Sequence, residues 1–184
     1  MKIFRLSLPR CLGRLARDER GISAVEFAML LPLMVTMYLG TFEVSQAVGI
    51  NRKVTITART VADLASQVST IGDSDMSNLL AASAAVIAPY DVSRAQVTVS
   101  GVQIDNNGAA KITWSDALNG TARAIGSGVT VPASLNSPNT FLVWGEVSYN
   151  YVPTIGYVIT GAMNLHDQLY MGPRLSNAVT RTHP

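Results

Sequence analysis

The sequence has little of the chemistry on which enzymes rely. It contains one cysteine, Cys11, and two histidines, His166 and His183, which are far from each other in sequence. It has no G-x-S-x-G, phosphate-binding loop, H-E-x-x-H or C-x-x-C motif. One thiol cannot form an intramolecular disulfide, and two distant histidines offer neither a triad base nor a metal-ligand pair. The sequence therefore predicts that the chain is not an enzyme and binds no metal or cofactor.

Charge is also scarce, and it is unevenly placed. Asp, Glu, Lys and Arg make up 14% of the chain, against about 25% in ordinary soluble domains. Residues 1–21 carry six basic and two acidic groups, a net charge of +4, and the rest of the chain carries eight basic and ten acidic groups, a net charge of −2. The body thus has no basic patch to hold phosphates, and nucleic acid is not expected as a partner.

What the sequence does have is one long apolar run. Phe27–Phe42 is a stretch without a formal charge, bounded by Glu26 and Glu43. As a helix it spans about 24 Å, slightly less than a hydrocarbon core of about 30 Å. The longer stretch Ile22–Ile50 contains only those two charges, and it is long enough to cross. We therefore predict a transmembrane helix over residues 22–50, with Glu43 at its far interface.

The charge asymmetry gives this helix a direction. Basic residues precede the run and few follow it before Arg52–Lys53, so residues 1–21 are expected in the cytoplasm and residues 51–184 in the periplasm of a two-membrane bacterium. A cleaved signal peptide is the alternative, because Ser45-Gln46-Ala47 offers small residues at −3 and −1, and cutting after Ala47 would release a soluble protein. The leader of about 20 residues and the length of the run favour a retained anchor.

The front edge of the run carries a recognisable motif. A basic leader is followed by Gly21, by Ile22-Ser23-Ala24-Val25, by Glu26 and by the apolar helix. This order resembles the type IV prepilin cleavage motif. The block GISAVEFAMLLP is similar to TadE-like minor pilins, or pseudopilins, of the tight adherence (Tad)/Flp type IVb pilus system, and the plan of an anchored helix followed by a larger domain matches the whole chain.

The resemblance implies roles for three residues. A membrane-embedded aspartyl peptidase would cut between Gly21 and Ile22 and methylate the new N-terminus, which makes Glu26 the fifth mature residue. Glu26 then lies about 6 Å along its own helix. Packing such helices together buries the new amine, and the carboxylate of a staggered neighbour avoids the cost of an unpaired buried ion. Glu26 is therefore predicted as a subunit-pairing carboxylate.

The resemblance also implies partners, location and function. The expected partners are major Flp-type and minor pilins, the prepilin peptidase, the inner-membrane assembly platform and membrane lipid. The expected location is single-pass in the inner membrane, with incorporation into an extracellular pilus. The function would be to prime, cap or regulate assembly of a Tad pilus for surface adherence. An uncleaved, membrane-anchored periplasmic scaffold of the same secretion machine remains the alternative.

Pro32 interrupts the apolar run. It removes one backbone donor and crowds the carbonyl of Ala28, at a cost of about 3 kcal/mol in a helix interior. Membrane helices tolerate such a site where neighbouring groups satisfy the freed carbonyl. The sequence predicts a helix kink at Pro32, and leaves open whether the kink is mild or a point at which the helix bends on assembly.

The remainder predicts an α+β head, a small antiparallel sheet packed on helices. An apolar seam at helical spacing extends the first helix, which is expected to run from about residue 22 to residue 69. The seam consists of Val54, Ala58, Val61, Ala65 and Val68. The expected elements of the head are helices at about 51–70 and 75–88 and strands at about 95–104, 109–116, 140–152 and 165–171. A long connection is expected over residues 117–140.

The clearest local pattern of the head is a hairpin. Residues 96–104 alternate between apolar and polar, Asp105-Asn106-Asn107-Gly108 has the composition of a tight turn, and residues 109–115 return. The turn needs no chemistry beyond its backbone geometry.

Three other features are predicted to be structural. Asp73 and Asp75 suit a helix N-terminus, and no calcium-loop glycine or glutamate follows them. Residues 152–163 are apolar but too short to span a membrane, and a loop with a short helix packed on the sheet is expected there. The aromatic residues on predicted strands are assigned to the core. They are Trp114, Trp144, Tyr149 and Tyr151.

Mass spectrometry of the N-terminus of the native protein distinguishes the three alternatives. We expect an N-methylated Ile22, because the leader, Gly21 and Glu26 match the prepilin pattern. An intact leader would instead support the permanent anchor, and a chain starting at Val48 would support secretion.

Overall fold

The computed structural model describes residues 20–153, 156 and 161–182. Most of the predicted leader and much of the apolar segment 152–163 lie outside these residues. The helices are α1 (Arg20–Ser66) and α2 (Asp73–Ala85), and a short 3₁₀ turn covers Val92–Arg94. The strands are β1 (Thr70–Ile71), β2 (Ala95–Ile104), β3 (Ala110–Leu118), β4 (Gly128–Val129), β5 (Phe141–Tyr151), β6 (Met163–Met171) and β7 (Thr180–Arg181).

Helix α1 dominates the molecule. Its 47 residues correspond to about 70 Å. The helix continues through Pro32, and the hydroxyl of Thr36 donates to the Pro32 carbonyl oxygen at 2.8 Å. The kink predicted at Pro32 stays a prediction. At the other end α1 stops at Ser66, so Val68 lies beyond the helix and is 37% exposed. The expectation that the seam and the helix reach residues 68–70 is wrong, because the chain turns there into β1.

Helix α2 begins where the two aspartates predicted it. Gly72 is the N-cap residue, and its N–H donates to the Asp75 carboxylate at 3.3 Å. Asp73, in the first turn, forms an ion pair with Arg181 at 2.5 Å. Both carboxylates therefore serve the local structure at a helix N-terminus, where negative charge is favourable.

A five-stranded antiparallel sheet forms the centre of the head. Its strand order is β4-β3-β2-β5-β6. Strands β2 and β3 form the predicted hairpin, in which the Asp105 side chain accepts hydrogen bonds from the N–H groups of Asn107 and Ala109, both at 2.8 Å. Gly108 has φ = 80°, a conformation that glycine adopts without strain.

The C-terminal segment contacts several elements of the head. Strand β7 pairs with β1 in parallel, a pairing that the sequence did not predict. The Trp114 indole N–H donates to the carbonyl oxygen of Val179 at 2.7 Å. Arg181, whose side chain is 6% exposed, forms ion pairs with Asp73 and Asp116. The C-terminal segment therefore joins α1's end, α2 and the sheet without a disulfide.

The main core lies between the two helices and one face of the sheet, and a smaller apolar cluster that includes Val102, Ile112 and Leu142 lies on the other face. The buried side of α1 includes the seam residues Val54, Ala58, Val61 and Ala65. Facing them are buried side chains of β2 and β5, among which are Val97, Val99, Val143, Val147, Tyr149 and Tyr151. All four aromatic residues predicted for the core are buried. The predicted α+β fold, a long N-terminal helix followed by a head with an antiparallel sheet on helices, is confirmed.

Gly145 of β5 sets the distance between α1 and the sheet. A Cβ atom at this position would lie 2.7 Å from the backbone oxygen of Ala58 and 2.8 Å from a methyl carbon of Val61. The backbone oxygen cannot move without shifting the helix. Only glycine therefore permits this approach.

Replacing Gly145 by alanine is expected to destabilise the head by about 1–3 kcal/mol, the usual cost of overpacking. Chemical denaturation of the full chain in nanodiscs, followed by tryptophan fluorescence, measures the change. Gly128→Ala in β4 is the matched control, since nothing lies within 4 Å of its Cβ position, and it should change stability by less than about 0.5 kcal/mol. Equal effects of the two substitutions would contradict the close-contact argument.

Candidate membrane and subunit interface

The first part of α1 is an apolar rod that nothing else in the described chain covers. We call residues 21–39 the stem. Every stem residue is exposed except Thr36 and Leu39, which are half-buried. The large apolar side chains that it exposes are Ile22, Val25, Phe27, Met29, Leu30, Leu31, Leu33, Met34, Val35, Met37 and Tyr38. Soluble monomers rarely expose an apolar surface of this extent, which marks a membrane or protein contact.

The stem has the length of a membrane crossing. As a continuous helix it rises about 28 Å, close to the hydrocarbon thickness of about 30 Å. Among the described residues, one helix is long and apolar enough to cross a membrane, and it is Gly21–Ser66.

The head begins to cover α1 earlier than the sequence predicted. Gly40, Glu43 and Ile50 are buried, so the apolar surface that is free all round ends at residue 39 rather than at residue 50. The predicted segment 22–50 therefore combines a bare rod with a stretch that packs on the head. Hydropathy cannot separate the two, because lipid and a protein core favour the same side chains.

Glu43 is buried by the head, and its predicted position at the far membrane interface stays a prediction. It is 2% exposed, and its carboxylate accepts a hydrogen bond from the N–H of Gly156 at 2.7 Å. The Tyr151 hydroxyl donates to the Glu43 backbone oxygen at 3.3 Å. Through these hydrogen bonds Glu43 connects α1 to the end of β5 and to the segment after it.

The predicted processing and pairing residues lie together at the N-terminal end of the stem. Gly21 and Ile22 lie at the start of the described part of α1, and Glu26 lies one turn after Ile22 on the same side of the helix as Ile22. All three are exposed. Glu26 is the only formally charged side chain between Gly21 and Phe42. The cleavage and pairing roles of these residues stay predictions.

A second exposed feature extends the stem surface along the head. We call Val44, Val48, Arg52, Ile56 and Arg59 the outer stripe. They recur at intervals of three or four residues on the side of α1 opposite its buried side. The three apolar members are each about half exposed. The sequence reasoning missed this stripe, although its helical spacing was visible once the seam had been assigned.

Comparison with known families singles out this same helix. The family model described as TadE-like protein matches residues 21–63. Helix α1 is therefore similar to the helix of TadE-like proteins. The match begins at the stem's first residue and ends three residues before Ser66, so it covers the stem, Glu43 and the outer stripe. The resemblance stated from the sequence is confirmed over this helix.

The head lies almost entirely outside the TadE-like match. No curated protein and no solved structure is similar to the chain. The TadE-like family is associated with the Tad pilus and is not an enzyme family. The family thus accounts for α1, and the strands of the head have to be interpreted from their own residues.

The two glutamates of the TadE-like helix make a matched pair for mutation. Glu43→Ala leaves the Gly156 N–H without its acceptor and is expected to cost about 1–3 kcal/mol of head stability. Glu26→Ala should change head stability by less than about 0.5 kcal/mol, because the side chain is exposed about 26 Å away along the helix. Denaturation of both variants in nanodiscs measures the difference. A head as stable in Glu43→Ala as in the parent protein would contradict this role for Glu43.

Proposed function

We propose that the chain is a TadE-like minor pilin, or pseudopilin, that takes part in assembling a Tad/Flp type IV pilus for surface adherence. The observation that carries the proposal is the stem, an exposed apolar helix of membrane length with one carboxylate near its N-terminal end. The stem lies within the part of α1 that matches the TadE-like family. In the inner membrane the stem crosses the bilayer once, with the leader in the cytoplasm and the head in the periplasm.

Processing adds a second charge, the new amine of Ile22, at the N-terminal end of the stem. The prepilin peptidase cuts between Gly21 and Ile22, and the new amine enters the bilayer edge on a helix whose nearest acid is Glu26. A neighbouring helix shifted by about 6 Å places its Glu26 beside that amine. Breaking a buried pair of this kind typically costs about 3–5 kcal/mol, so the pair selects the stagger between subunits.

The outer stripe supports contact with other pilins beyond the membrane. Val44, Val48 and Ile56 continue the apolar surface of the stem past residue 39, on the side of α1 that the head leaves open. A helix lying along the stem can therefore remain in contact with α1 beside the head. The expected neighbours are major and minor pilins, held by the inner-membrane assembly platform, while the head limits or directs subunit addition.

One observation favours the uncleaved scaffold as a second candidate. Helix α1 begins at Arg20, so the Gly21–Ile22 bond lies in helical backbone that a peptidase has to unwind before cutting.

The third alternative, secretion after cleavage at Ala47, fits the packing poorly. Such a cut divides α1 within the part that packs on the head. It also removes Glu43, together with the hydrogen bonds that Gly156 and Tyr151 donate to it.

Glu26→Gln tests the pairing role. The substitution keeps the shape of the side chain and removes its charge, so we expect normal membrane insertion and impaired pilus assembly. Cell fractionation measures insertion, and electron microscopy with co-isolation of other pilins measures assembly. Ser23→Ala, an exposed change one turn away, is the control and should assemble normally. Pili formed by Glu26→Gln as by the parent protein would exclude the pairing role.

A further inference from the structure

The sheet has a second face that α1 does not cover. One end of this face carries a second buried apolar cluster, which includes Val102, Leu142 and Trp144, and the side chains toward its other end are mostly uncharged and polar. On this face the strand registers align two rows across β2, β5 and β6. The first row is Gln96, Ser148 and His166, and the second row is Thr98, Glu146 and Gln168. Amide and hydroxyl groups arranged in this way present both donors and acceptors at fixed spacing.

The connection after β3 folds back over this face and turns part of it into a cavity. The backbone N–H of Arg123 donates to the Ser115 hydroxyl at 3.0 Å. Its guanidinium lies 4.0 Å above the ring of Trp144, and that ring stacks on Tyr170 at 5.2 Å. The aromatic pair supports the guanidinium from below, and the wall of the cavity is thereby held in place.

The cavity has a volume of about 260 Å³ and a lining of polar residues. Besides Arg123 and Glu146, the residues that line it are Gln96, Thr98, Thr121, Ser148 and His166. This volume lies slightly below the roughly 300–1,000 Å³ of typical ligand pockets, which suits one small ring rather than an extended ligand. No aliphatic side chain among the lining residues offers a contact for a lipid or an apolar peptide.

The charged groups in the wall neutralise each other. Arg123 donates two hydrogen bonds to the Glu146 carboxylate, at 2.7 and 2.6 Å. The hydrogen bond with Glu146 raises the pKa of the Arg123 guanidinium. Because the guanidinium and the carboxylate are paired with each other, neither group is free to bind a ligand of the opposite charge.

The remaining hydrogen-bonding groups are only weakly used. The contact between the Ser148 hydroxyl and the Gln96 amide oxygen is long, at 3.4 Å. A ligand with several hydroxyl groups can replace such a contact with shorter hydrogen bonds to both side chains. Neutral sugars combine these properties, since they carry many hydroxyls, no charge and the size of one ring.

We propose that this cavity binds a single neutral hexopyranose unit of a glycan. The ring lies across the rows of β2 and β5, and the side chains of Thr98 and Ser148 hydrogen-bond its hydroxyls. The site belongs to the head and does not depend on the stem or on Glu26, so it stands whether or not the protein assembles into a pilus.

The two tryptophans provide the test. Trp144 donates its indole N–H to Gln168 at 3.1 Å beside the cavity, whereas Trp114 donates to Val179 in the core. The full chain, labelled with ¹⁵N-tryptophan, is placed in nanodiscs, because glucoside and maltoside detergents carry sugars themselves. Glucose, galactose and N-acetylglucosamine are the probes, and their relative affinities show whether the site takes a plain or an N-acetylated unit. Glucuronate, glucosamine and glycerol are the controls.

We expect at least one neutral sugar to shift the Trp144 indole resonance saturably, with a dissociation constant on the order of 1 mM, and to leave the Trp114 resonance in place. The charged sugars should bind at least about tenfold more weakly. Absence of a shift with all three neutral sugars would overturn the proposal. Equal shifts with glycerol or with the charged sugars would overturn it as well.

A double substitution locates the site. Thr98→Val with Ser148→Ala removes two hydroxyls while keeping residues that a strand tolerates, and should weaken sugar binding by at least about tenfold. Thr130→Val, an exposed change at a different cavity, should leave the affinity unchanged. The Trp114 resonance reports whether each variant is folded. Unchanged affinity in a folded Thr98→Val/Ser148→Ala variant would show that the sugar does not bind in this cavity.

Discussion

The contact between α1 and strand β5 holds the architecture together. At Gly145 the sheet comes so close to Ala58 that a side chain is excluded, and Ala62 and Ala65 keep the neighbouring surface of α1 equally small and buried. This close contact fixes one side of a single helix against the head. The same helix, continued toward its N-terminus, has no such partner among the described residues and is left bare. One rod therefore serves two environments, a packed protein core and an apolar medium.

Polar groups have the structural role here that disulfides have in many small domains. Arg181 joins β7 to α2 and β3 through Asp73 and Asp116, and its hydrogen bond with Asp116 raises the pKa of the guanidinium. Glu43 and Tyr151 join α1 to the chain after β5. A buried, well-bonded charge is costly to disrupt, so these contacts define how the helix, the sheet and the C-terminal segment fit together.

The two faces of the sheet differ in their side chains and in what they contact. One face is apolar and packs mainly on α1. The other face has a second apolar cluster at one end, and at its other end hydroxyl and amide groups with a neutralised ion pair and an aromatic support. The proposals for the stem and for the cavity rest on opposite sides of the molecule and can fail separately.

Local pattern and composition determined much of this protein from the sequence alone. The helical spacing of Val54, Ala58, Val61 and Ala65 indicated the buried side of α1. The alternation of apolar and polar residues on both sides of the turn at residues 105–108 indicated the hairpin. The motif that includes Gly21 and Glu26 gave the family resemblance. These features depend on neighbours a few residues apart, so they can be predicted without a fold. Only the tertiary structure decided where the bare stem ends, since hydropathy treats lipid and a protein core alike. It also showed that Glu43 is buried and hydrogen-bonded to the chain after β5, brought Arg123 over Trp144 from the connection after β3, and paired β1 with β7 from opposite ends of the head. Such contacts join segments that are far apart in sequence, so a pattern of neighbouring residues cannot predict them.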